Sequence, residues 1–75
     1  MKFAIWTEEN EKHLADHGVS KQDAEFVINH PTEADISRSS GRPIAFGYVP
    51  DGRFVAVVYE EIDEMFVYPI TAYEV

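Results

Sequence analysis

Seventy-five residues without a single cysteine make one small domain, 1–75, that must fold without disulfides or thiolate–metal staples. Fourteen Asp and Glu against six Lys and Arg give a formal charge of −8, which repels phosphate backbones and sets nucleic acid aside as the default partner. No apolar run is long enough to span a bilayer, and the N-terminal stretch MKFAIWTEEN turns acidic where a secretory signal stays apolar, so the expected location is cytoplasmic.

KFAIW (2–6) is β-prone and opens the chain as a short strand. Thr7 is the natural N-cap of a helix over about 8–17, with Glu8 and Glu9 at the positive end of its dipole. Gly18 supplies a left-handed stop. Ser20, with Asp23 three residues on, starts a second helix whose Ala24, Val27 and Ile28 form an apolar stripe. Val19 is placed to staple onto Ala24, and Pro31 ends the helix after a frayed Asn29-His30 turn.

From residue 33 the hydrophobic period changes to two. EADISRS (33–39) reads as a polar edge strand and PIAFGYV (43–49) as a strand, with Gly47 marking a bulge or a close approach. Asp51-Gly52 is a hairpin signal leading into RFVAVVYEEI (53–62), which is apolar on both faces and therefore central. After the polar turn IDEM, FVYPITAYEV (66–75) is the last strand, with Pro69 requiring one unpaired side. The order β-α-α-β-β-β-β predicts a two-layer α+β fold, with both helices on one face of an antiparallel sheet.

The pattern of WTEEN, HGVSKQDA, the apolar triplet with His30-Pro31, RPIAFG, GRFVAVVY and ITA resembles the BrnT-type toxins, which are RelE-like ribonucleases, over almost the whole chain. The resemblance implies a RelE/BrnT-like fold, cleavage of messenger RNA at a sheet face, and a small basic DNA-binding antitoxin as partner. It also implies cations beside the scissile phosphate and groups that move protons on the ribose hydroxyls. The family carries Arg on the last strand on either side of its I-S-A stretch. Here those positions are Tyr68 and Tyr73, and the family's basic C-terminal helix has no counterpart before Val75.

Catalytic candidates on this reading are Arg42 and Arg53 as phosphate clamps, with His17 or Tyr68 as proton carrier; no cofactor is expected. Arg38 joins the two other arginines as a binding candidate if the strands bring them to one end of the sheet. Against that stands simple pairing of the arginines with carboxylates such as Asp35, Glu60 or Glu61. Tyr48, Tyr59, Tyr68 and Tyr73 can line one sheet face, stacking on bases or forming a protein-binding patch. His13 and His17 share a helix face at metal-ligand spacing, but helix-corner punctuation explains that spacing without a ligand, and no metal is expected. Two functions follow. One is a BrnT-like toxin with ribonuclease activity weakened at its tyrosine-for-arginine positions. The other is a non-catalytic module binding a protein through its sheet face or edge strand.

Overall fold

A computed structural model describes residues 1–75. The elements are β1 (Phe3–Ala4), α1 (Glu8–Asp16), α2 (Lys21–Asn29), β2 (Glu33–Ile36), β3 (Pro43–Tyr48), β4 (Phe54–Glu61) and β5 (Phe66–Glu74). The expected order is therefore observed, and both helices pack on one face of a five-stranded sheet ordered β1-β5-β4-β3-β2. β4 lies at its centre, as its apolar run required.

The sheet is mixed, which corrects the antiparallel expectation. The αα corner carries the chain from one edge of the sheet to the other, and three hairpin reversals walk it back. Because β2 runs antiparallel to β1, those three reversals leave β5 parallel to β1, with Phe3 opposite Phe66 and Ala4 opposite Val67. A second correction concerns EADISRS: the strand ends at Ile36, and Arg38 lies in the following turn.

Caps fix both helices. Thr7 Oγ1 accepts from the Asn10 N–H at 3.2 Å, and Asn10 Oδ1 accepts from the Thr7 N–H at 2.7 Å, closing a reciprocal capping box. Ser20 caps α2 through the Asp23 N–H, but the Asp23 carboxylate turns to Arg53 instead of completing a second box. Gly18 has φ +75°, the left-handed conformation that a Cβ disfavours, and it lets the corner turn between the helices.

Leu14, Val19, Ala24, Val27 and Ile28 from the helical layer meet Ala45, Val55, Val57, Val67 and Ala72 from the sheet. Fully burying a Val or Leu side chain stabilises by about 1.5–3 kcal/mol, so this one cluster carries the fold. Gly47 marks a close approach, not a bulge: a Cβ there would lie 3.3 Å from the His30 carbonyl oxygen and 3.5 Å from Val27 Cγ1. The bulge falls on β5, where Val58 faces Thr71 but Tyr59 faces Pro69, leaving Ile70 as the extra residue. Pro69 sits past the end of β1, and its carbonyl accepts from Asn10 Nδ2 at 3.0 Å, so its missing N–H falls on a side with no strand partner.

The two sheet edges differ. The Lys2 N–H donates to Asn29 Oδ1 at 2.7 Å, and Asn29 Nδ2 donates back to the Lys2 carbonyl at 3.0 Å. This side-chain amide imitates a further strand and closes the β1 edge. On β2, fully exposed, the Ile36 N–H is taken by Asp35 Oδ1 at 2.7 Å, which blunts that edge against strand addition.

Candidate functional site

Helices cover only one face of the sheet. Residues on the other face follow from register: Ile44, Phe46 and Tyr48 on β3, Phe54, Ala56 and Val58 on β4, and Thr71 and Tyr73 on β5. Phe54 lies between Phe46 and Tyr48, with ring centroids 6.2 and 4.7 Å away. Such contacts pre-order large apolar groups that still face water, since Tyr48 is 58% and Tyr73 40% exposed. Carboxylates flank this face: Glu33 is opposite Phe46, Asp35 opposite Ile44 and Glu60 opposite Tyr68. Its one cation is Arg42, two residues before Ile44 and so on the same side of β3.

The candidate catalytic residues do not assemble. Arg53 pairs across the β3–β4 hairpin with Val49, seven residues along from Arg42; at about 3.3 Å per residue, the two backbones stand ~23 Å apart. They therefore lie at opposite ends of the sheet, which corrects the expected convergence of the arginines. Arg53 is fully engaged: it donates to Asp51 at 2.9 Å, to Asp23 at 3.1 Å and to the Gly18 carbonyl at 2.8 Å. Simple carboxylate pairing thus holds for Arg53, with different partners from those expected. Its backbone N–H also bonds to Asp51, and that bond leads the effects holding the Asp51 carboxyl below its usual range. Arg38 and Arg42 form no ion pair.

His17 is the exposed C-cap of α1, beside the Gly18 that Arg53 grips, and so belongs to the helical layer and not to the aromatic face. His13 is exposed on α1, and His30 stacks on Phe26 at 4.8 Å. No group of three or more His, Cys, Asp or Glu side chains is positioned to hold a metal. The hydroxyl of Tyr68 lies 3.2 Å from Thr7 Oγ1, which ties the last strand to the cap of α1.

The four tyrosines divide. Tyr48, Tyr73 and, opposite Glu60, Tyr68 are rooted on the open face, whereas Tyr59 turns to the helical side opposite Pro69 and packs against the core. Burial, reinforced by the charge of Glu61, raises the Tyr59 phenol above 10.0. A raised phenol favours the fold fully below pH 10, and that contribution fades as pH climbs through the folded-state value. In an absorbance titration of the phenolates, Tyr59→Phe should remove a step that lies above pH 10. Loss of a step at or below pH 10 in that variant would contradict this placement.

Two concavities are present. One, about 400 Å³, lies between β1 and α2; there Lys2 pairs with Glu61, Glu25 accepts from Trp6 and Asn29 seals the strand edge, which leaves Gln22 and His30 as its free polar side chains. The other, about 330 Å³, opens on the aromatic face around Arg42, Ser40, Thr71 and Tyr73. Sequence reading picked out Arg42 and Tyr73 here but missed Ser40 and Thr71. The Ser-rich turn before Arg42 was a usable signal; the bulge that aims Thr71 was not.

The chain is an α+β protein with two helices on one face of a mixed sheet and an uncovered, aromatic opposite face. Comparison with protein-family models, curated proteins and solved structures returns no match. No helix is long and apolar enough to cross a membrane.

Proposed function

We propose that this protein is a binding module whose uncovered sheet face docks a basic protein partner. The observation that carries this reading is the aromatic and aliphatic face around Phe46, Tyr48 and Phe54, flanked by Glu33, Asp35 and Glu60. Exposed aromatics give contact area at low entropic cost, and the formal charge of −8 speeds encounter with a cation-rich surface. A segment with an apolar stripe and Lys or Arg on its flanks matches both features. In the BrnT-like setting that the sequence resembles, the basic DNA-binding antitoxin is such a partner. The blunted β2 edge favours the face over strand addition as the route of binding.

The experiment places a photo-crosslinking amino acid at Tyr48 and, separately, at His13 in the source cells. A cross-link from Tyr48 alone, to a protein of basic isoelectric point, is the expected result, and Phe46→Asp should abolish it. No cross-link from Tyr48, an equal one from His13, or an acidic partner would overturn the reading.

A ribonuclease of the RelE-like kind is the second reading. It is favoured by one observation, the unpaired Arg42 beside Tyr73 on the open face. Induced expression would then arrest growth, Arg42→Ala would relieve the arrest, and purified protein would cut RNA at low salt. The binding-module reading expects neither arrest nor cleavage.

A further inference from the structure

Arg42 is half-buried and carries no hydrogen bond or ion pair on its guanidinium, in a chain where carboxylates outnumber cations fourteen to six. The two nearest acids by register do not take it. Asp35 holds the Ile36 N–H, and Glu60 stands opposite Tyr68 on the other neighbouring strand. Around the guanidinium are hydroxyls with protons to give. Ser40 Oγ accepts the Arg42 N–H at 3.3 Å and keeps its own proton free, while Thr71 and Tyr73 have no protein partner. Ser37 and Ser39, by contrast, share a hydrogen bond at 3.2 Å.

Beneath these donors lies an apolar floor of Ile44, Val58 and Ile70. Adjacent strand residues ordinarily point to opposite faces, yet Ile70 and Thr71 both line this pocket. The bulge at Ile70 makes that possible, and bulges re-aim side chains in this way beside binding sites.

We propose that this pocket binds a carboxylate carried on a small branched apolar group. Arg42 would meet the carboxylate with its planar fork, Ser40, Thr71 and Tyr73 would donate to the remaining lone pairs, and the apolar group would cover Ile44, Val58 and Ile70. A monoanion fits better than a phosphate dianion, because Asp35 and Glu60 flank the site and raise the cost of a second negative charge. The volume of about 330 Å³ stands at the small end of ligand pockets and suits a group of this size. The site does not depend on a protein covering the sheet face, so it stands apart from the binding-module reading.

The same chemistry has two sources, a free short-chain acid and the C-terminus of a peptide ending in Leu. Amide NMR shifts of the intact protein would be followed against 4-methylpentanoate, acetyl-Ala-Ala-Leu, its C-terminal amide, and inorganic phosphate. Saturable shifts confined to residues 37–44, 58 and 70–73 are expected with the two carboxylates. Affinity should be at least about tenfold weaker with the amide, with phosphate and with Arg42→Met. Tighter binding of the peptide than of the free acid assigns the source to a chain end; equal or weaker binding assigns it to a small metabolite, and both support the site. Equal binding of acid and amide, tighter binding of phosphate, shifts elsewhere, or no saturable shift would overturn it. The acid–amide comparison uses only wild-type protein, so the test survives a variant that fails to fold.

Discussion

Asn10→Asp is expected to lower the stability of the fold by about 3–5 kcal/mol, the largest effect of any isosteric change in the chain. Asn10 is 2% exposed, and every polar atom of its side chain is used. Oδ1 accepts from the Thr7 N–H at 2.7 Å, and Nδ2 donates to the Ile5 carbonyl at 2.9 Å and to the Pro69 carbonyl at 3.0 Å. One amide therefore joins the cap of α1, the exit of β1 and the site on β5 where Pro69 breaks the ladder. A carboxylate in its place keeps the bond to Thr7 but turns an oxygen toward two carbonyl oxygens in a buried site. Each orphaned carbonyl costs about 1–3 kcal/mol, and the buried charge adds to that.

At about 0.05–0.15 kcal/mol per residue, a 75-residue domain holds only ~4–11 kcal/mol in all. Urea denaturation should therefore show Asn10→Asp partly unfolded at neutral pH and Asn10→Ala losing about 2–3 kcal/mol. The sign with pH is distinctive. Burial against carbonyls raises the folded-state value of the new carboxyl, so its contribution is fully present below the unfolded value of about 3.9 and is lost as pH rises. Acid should thus partly restore Asn10→Asp. In the wild type the lowered Asp51 carboxyl acts in the opposite sense, with stability present above its usual 3.8 and lost as pH falls through the folded-state value. A wild-type urea midpoint for Asn10→Asp at pH 7 would show that Asn10 is not the junction of these elements.

The layers of the fold were legible because they rest on local chemistry. Thr7, Gly18, Ser20 and Pro31 act through caps and backbone conformation within a few residues, and the β4 run, apolar on both faces, reports its central place directly. What stayed hidden depends on contacts across the chain. The parallel β1–β5 pairing follows from β2 running antiparallel to β1 and three reversals after it, and no single residue encodes it. Asn10 was inconspicuous because its partner Pro69 lies 59 residues away. The site was half visible for the same reason. Arg42 and Tyr73 could be chosen by residue type, but their juxtaposition with Thr71 depends on a one-residue bulge. The separation of the arginines, by contrast, was implicit in the Asp51-Gly52 turn, which puts Arg53 beside the hairpin loop and Arg42 at the far end of the paired strands.

That separation gives the second large effect, a loss of about 2–3 kcal/mol for Arg53→Ala, with the melting temperature falling by roughly 10–20 °C. The Arg53 side chain is 27% exposed and clasps the αα corner to the β3–β4 hairpin through the Gly18 carbonyl and Asp23. Asp23 is itself 23% exposed, so removing the guanidinium strands a carboxylate that water reaches poorly. The exposed bond to Asp51 adds little, as surface ion pairs do. Arg53→Lys should fall between wild type and Ala, because an ammonium can meet Asp23 but cannot span the fork to Gly18 as well. Arg42→Ala should leave melting within about 0.5 kcal/mol of wild type, since its guanidinium contacts nothing that holds the fold. The two arginines thus separate by readout: Arg53 through thermal stability, Arg42 through ligand binding. A wild-type melting temperature for Arg53→Ala, together with loss of RNA cleavage or partner binding, would reverse that division and make Arg53 a functional cation.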